Sequence, residues 1–295
     1  MNATLESRSA SPVRASPVSA TEWVELDWDG RRVLIEHQWL RREDRAAPLM
    51  VFLHEGLGSV SLWRDFPGEL CEALQCRGLV YSRPGYGQST PRATDAALAP
   101  DFMHRQAFEL LPALLQALGV NAGVDGASAK PWLLGHSDGG SIALLYAARF
   151  PDQVAGAVVL APHILVEDVS VASITEARTT FETTDLRQRL ARHHADPDSA
   201  FWGWNGIWLS ETFRSWNITD ELRRISCPLL AVQGVNDEYG TLEQIRGIAR
   251  VAPQCQLLEW AACGHSPHRD QKDRLIAAVR DFFQHHQQPH QETHP

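Results

Sequence analysis

The segment Gly135-His136-Ser137-Asp138-Gly139 offers the most direct chemistry in this chain. It stands between Pro131-Trp132-Leu133-Leu134, which reads as a short buried strand, and the run 140–150, which reads as a helix. A G-x-S-x-G turn between a strand and a helix is a nucleophile elbow. The turn is so tight that side chains two residues either side of the serine would collide; Gly135 and Gly139 remove that collision. The hydroxyl is then held clear of the sheet, with a helix N-terminus behind it. A serine is a poor nucleophile at neutral pH without a positioned base, and a histidine base needs a carboxylate to fix its tautomer. An elbow finds these partners downstream, acid first and histidine second. The apolar run 228–233 closes in Gly234, with Asp237 three residues on and Glu238 beside it as the competing acid. A second strand-like run, Gln256–Trp260, is followed by Gly264-His265-Ser266-Pro267. Each residue type also occurs in plain turns. Together and in order, Ser137, Asp237 and His265 fall at the C-terminal ends of predicted strands, where open α/β sheets place their sites.

Two further loops extend the pattern. Leu53-His54-Glu55-Gly56-Leu57-Gly58-Ser59 follows the apolar run 48–52, and Ser82-Arg83-Pro84-Gly85-Tyr86-Gly87-Gln88-Ser89 follows the next one. With these elements in this order the chain resembles the α/β-hydrolase superfamily over about residues 22–285. The resemblance implies a mostly parallel sheet of about eight strands, helices on both faces and an inserted helical cap. It implies that the amide of Asp138 and one from the His-Gly loop, Gly56 first and Leu57 next, form an oxyanion hole. Glu55 stands where the family usually has glycine, and Asp138 where it often has Met or Gln. The Asp138 carboxylate is expected to point away from the oxyanion. His54, Glu55 and His163 are candidate substrate contacts, and Arg83 reads either as a carboxylate binder or as a loop brace.

Around these residues the elements organise as follows. Runs 22–28 and 32–39 alternate as two strands about an Asp29-Gly30 turn. Strands are predicted at 48–54, 78–82, 131–136, 154–161, 228–233 and 255–260, and helices near 61–75, 101–118, 139–149, 241–251 and 268–284. The α/β rhythm stops at 162–225, the place of the cap, between the core segments 22–161 and 226–285. A long structureless loop there is improbable. That segment holds Trp202, Trp204, Trp208 and Trp216. Each brings a large apolar area with one N–H, so the rings either seat the cap or, for Trp204 and Trp208, line an apolar pocket. Residues 1–21 and 286–295 read as flexible tails.

Composition narrows the function. The chain has 295 residues, 44% hydrophobic and 21% charged, enough for a sizeable core. A net charge of −9 argues against nucleic acid. No apolar run reaches the roughly 18 residues of a membrane span, and the N-terminus lacks a signal peptide's apolar core. Five cysteines without CxxC or zinc spacing predict reduced, buried thiols and a cytoplasmic location. The expected activity is hydrolysis of a small carboxylic ester or lactone, with no metal or organic cofactor. The alternatives are a carbon–carbon hydrolase of a meta-cleavage-type diketone and a non-catalytic ligand receptor on the same fold. Ser266 stands where family members of the carbon–carbon type often have tryptophan. The family's caps and edge strands also allow a homodimer.

Overall fold

The computed structural model describes residues 20–93, 97–120 and 130–287. Eight strands form one sheet in the order β1-β2-β4-β3-β5-β6-β7-β8. They are β1 (Glu22–Trp28), β2 (Arg31–Leu40), β3 (Leu49–Leu53), β4 (Arg77–Tyr81), β5 (Trp132–His136), β6 (Gly156–Leu160), β7 (Leu229–Gly234) and β8 (Cys255–Trp260). The β1–β2 hairpin and the β2–β4 pair are antiparallel, and every other pairing is parallel. The central strands are buried on both faces, which is why they read as continuous apolar runs. Met50, Phe52, Trp132, Leu134, Val158 and Leu230 pack to one side, and Val51, Leu53, Leu133, Ala157, Val159 and Ala231 to the other.

Helices cover both faces. The first face carries α1 (Phe66–Leu74), which starts later than expected because Pro67 is tolerated only in a first turn. The second face carries α2 (Phe102–Arg105) and α3 (Leu111–Ala117), expected as one helix. They are joined by a π turn, Gln106–Leu110. Pro112 has no N–H to donate and crowds the preceding turn, so the α ladder widens there. The elbow helix α4 (Asp138–Arg149) is buried almost throughout. Three α-helices, α5 (Asp168–Thr183), α6 (Leu186–Leu190) and α7 (Pro197–Trp208), occupy the segment between β6 and β7, followed by two short 3-10 turns. Asp196 caps α7 by accepting from the Ser199 amide at 2.9 Å. Phe181 and Phe201 stack at 3.8 Å to join α5 to α7. The core closes with α8 (Glu243–Val251), α9 (Pro267–Asp270) and α10 (Lys272–Gln287).

The N-terminal tail expected over 1–21 lies outside the described residues as far as position 19. The C-terminal one needs correction. Its first two residues, His286 and Gln287, belong to α10. Phe282 and Phe283 anchor that last turn in the core, and His285 and His286 suit the negative end of the helix dipole.

Candidate active site

Ser137 joins β5 to α4 with φ 52° and ψ −121°, a conformation that strains a residue with a Cβ. The flanking glycines leave room for it. A Cβ on Gly135 would lie 2.2 Å from the Gly139 carbonyl oxygen, and one on Gly139 2.1 Å from that of Leu53. Ser137 Oγ lies 2.9 Å from His265 Nε2, and His265 Nδ1 lies 2.8 Å from Asp237 Oδ1. A carboxylate only accepts, so Nδ1 carries the ring proton and Nε2 is left to take the serine's.

Asp237 follows β7, and its side chain is 1% exposed. It also accepts from the Tyr239 amide at 2.8 Å and from Gln233 Nε2 at 3.0 Å. Burial pushes its pKa up, but the hydrogen bond and charge of His265, with the Tyr239 amide, bring it below the ordinary value. It therefore stays ionised and can stabilise an imidazolium. Glu238 takes a different part: its Oε2 accepts from the backbone N–H of His265 at 3.2 Å. On the other side, His136 Nε2–H donates to the His265 carbonyl at 2.8 Å. The histidine's ring and both its backbone polar groups are thus held.

Among the described residues, the amides of Asp138, Gly56 and Leu57 donate to no protein acceptor. The loop carrying Gly56 and Leu57 is fixed from behind. His194, between α6 and α7, accepts from the Gly87 amide at 2.9 Å and donates from Nε2 to the Leu57 carbonyl at 3.0 Å. Burial lowers its pKa to about 4, so it is neutral at pH 7. Arg83 is the brace of the two readings. It is 1% exposed, donates to the Glu55 carbonyl at 2.8 Å and lies over the Tyr86 ring.

His54 is not a substrate contact. It is fully buried, its Nδ1–H donates to the Glu55 carbonyl at 2.7 Å, and its Nε2 accepts from the Arg83 amide at 3.0 Å. Both ring nitrogens are used by the backbone, and it does not reach the cavity wall. Burial, reinforced by Arg83, holds its pKa well below the histidine range.

A cavity of about 170 Å³ opens above Ser137 and His265. Its wall includes Gly56, Leu57, Glu55 and Asp138 from the core and Trp204 and Trp208 from α7. Burial opposes the Glu55 charge, but His136 at 3.6 Å and Arg269 at 3.5 Å hold its carboxyl well below the usual range. The Asp138 carboxylate faces the insertion. Trp208 Nε1 donates to its Oδ1 at 3.2 Å, and Arg83 stands 3.8 Å from Oδ2. Burial raises the Asp138 pKa, and Arg83 opposes that. His163 reaches the wall at the start of the insertion. Its Nε2–H donates to the Tyr239 carbonyl at 3.1 Å, and burial, then the nearby His265, lowers its pKa to about 4. Of the other two indoles, Trp216 stacks on Phe213 inside the insertion and Trp202 is 39% exposed.

Sequence reasoning missed Tyr239 and Arg269 on the cavity wall and His136 behind the histidine loop. His136 lay inside the elbow motif itself, and Tyr239 two residues past the acid. A second cavity of about 130 Å³ lies behind Arg83, bordered by Trp28, Tyr86 and Phe102, and holds neither Ser137 nor His265.

A family model described as "Alpha/beta hydrolase family" matches residues 50–278. Similar solved structures include a thermophilic esterase from Thermogutta terrifontis, 19% identical, TM-score 0.68, covering 90% of this chain and 100% of that one. An enol-lactonase from Burkholderia xenovorans is 19% identical, TM-score 0.67, covering 88% of this chain and 100% of that one. A meta-cleavage product hydrolase from Pseudomonas fluorescens is 17% identical, TM-score 0.63, covering 89% and 97%. At these identities the likeness is one of fold.

Proposed function

Because the chain belongs to the α/β-hydrolase family, we propose that it is a serine hydrolase cleaving a small carboxylic ester or lactone through an acyl-enzyme. The observation that carries this reading is the unbroken series Ser137–His265–Asp237, at 2.9 and 2.8 Å, beneath a cavity that holds the loop of Gly56 and Leu57. His265 removes the Ser137 proton as Oγ attacks the carbonyl carbon. Asp237 steadies the imidazolium. The amides of Asp138 and of Gly56 or Leu57 receive the tetrahedral oxyanion, each such donor lowering the barrier by roughly 2.7–4 kcal/mol. His265 then protonates the leaving alcohol, and water repeats the cycle to free the acid.

We treat the helices between β6 and β7 as a cap that shapes the acyl pocket, and the partner as a small molecule. Cytoplasmic residence is the companion proposal. It is supported by five free cysteines, four of them buried. No helix among the described residues is long and apolar enough to cross a membrane.

The test is a fluorophosphonate probe read by intact mass, followed by a panel of short esters and lactones. The wild type should gain one adduct and turn over p-nitrophenyl esters. Ser137→Ala should lose the adduct and nearly all turnover while keeping its fold. Labelling that persists in Ser137→Ala overturns the nucleophile assignment. Cleavage of a meta-cleavage dienoate with inert esters would move the protein to carbon–carbon hydrolysis, and binding without any turnover to a receptor role.

A further inference from the structure

The oxyanion loop has a neighbour that the backbone amides do not account for. A Cβ built on Gly56 would lie 2.2 Å from Trp204 Nε1 and 2.3 Å from its Cδ1. The edge of the indole that bears the N–H therefore occupies the space in front of Gly56, which only a glycine leaves open. Trp204 is 7% exposed and lies on the wall of the cavity that holds Ser137 and His265. Among the described residues its Nε1 donates to no protein group. Unlike the nitrogens of Trp39, Trp63 and Trp216, it is not sealed from its surroundings. Its helix neighbour Trp208 differs, having its N–H taken by Asp138.

We propose that the Trp204 indole N–H is a third donor to the oxyanion, brought by α7 to stand beside the two backbone amides. This rests on the serine-hydrolase reading, because that reading puts a developing anion next to Gly56. As Ser137 Oγ bonds to the carbonyl carbon, its proton passes to His265 and the carbonyl π pair moves onto oxygen. A donor already fixed in the cavity wall needs little reorganisation as that charge grows. It therefore acts on the transition state more than on bound substrate. On this view the insertion completes the catalytic machinery as well as enclosing the substrate.

Trp204→Phe keeps most of the ring and removes the donor. Its kcat on a short p-nitrophenyl ester should fall about tenfold to a hundredfold with KM little changed, at or just below the roughly hundredfold that the weakest such donors are worth. Affinity for a trifluoromethyl ketone, which forms a tetrahedral adduct on Ser137, should fall by the same factor. Affinity for the matching ether, which forms no adduct, should hold. The ratio of the two affinities is read on folded protein alone, so partial unfolding cannot imitate the effect. Trp202→Phe, exposed on the same helix, should match the wild type throughout. Unchanged kcat and ketone affinity in Trp204→Phe, or a loss confined to KM, overturns the proposal. If the wild type also resists the fluorophosphonate and turns over no ester, the serine-hydrolase reading falls with it; if the wild type reacts and Trp204→Phe equals it, only the third donor falls.

Discussion

Asp237 and Glu238 are adjacent carboxylates with opposite duties, one on the His265 ring and one on its backbone N–H. Removing the charge from each separates the duties. Asp237→Asn should lower kcat by on the order of 10³–10⁴, because the wrong tautomer of His265 then faces Ser137. Glu238→Gln should be far milder, since an amide oxygen can still accept the backbone N–H. Steady-state kinetics on one ester checks both, and reversed effects would exchange the assignments. That Ser137, His265 and Asp237 come together was legible because the elbow glycines and the chain order constrain them tightly. Gln233 and Tyr239, which also hold Asp237, were not. Gln233 sits inside a strand that reads as core, and Tyr239 holds Asp237 through its backbone amide, which no residue type signals. His54 misled for a related reason: its position in the loop is shared by ligands and braces, and only burial tells them apart.

Among the elements, α7 separates two kinds of tryptophan that the sequence presents as one cluster. Trp208 is 1% exposed, bonded to Asp138 and packed edge-on against His163 and Phe213. Trp208→Ala should cost about 3–5 kcal/mol of stability, a fall of several degrees in Tm, and should lower kcat/KM for aryl and alkyl acyl groups together. Calorimetry and two acyl series on the same variant check this; unchanged Tm with altered selectivity would make Trp208 a pocket residue first. The central strands were legible to within a residue or two because burial on both faces leaves unbroken apolar runs, and the β1–β2 hairpin because its residues alternate. Helix continuity was less so. The breaks near Pro67 and Pro112 depend on where in the turn a proline lands, and a periodic pattern passes straight across it.

For the whole molecule, the seam between core and insertion is held by neutral histidines. His163 and His194 titrate near 4 in the folded chain against an ordinary 6.5. Between those values the unfolded chain takes up more protons. Stability therefore falls as pH drops from 6.5 toward 4, by about 3 kcal/mol for each group, and these groups add nothing more below 4. Tm measured across pH 4–7 should show that slope, and His194→Gln should make it shallower while leaving the share of His163; an equal slope in the variant would remove His194 from the account. Topology gives the same seam another meaning. The chain leaves the sheet at the C-terminal end of β6 and returns at the N-terminal start of the parallel strand β7, so the segment between them runs from one end of the strands back to the other. From within it, His194 clamps the Leu57 carbonyl, Trp208 holds Asp138 and Trp204 stands against Gly56. A chimera with a foreign insertion would keep the serine, histidine and aspartate but lose the supports of its own oxyanion loop. On the proposed reading, substrate choice and rate would then be inherited together in this chain.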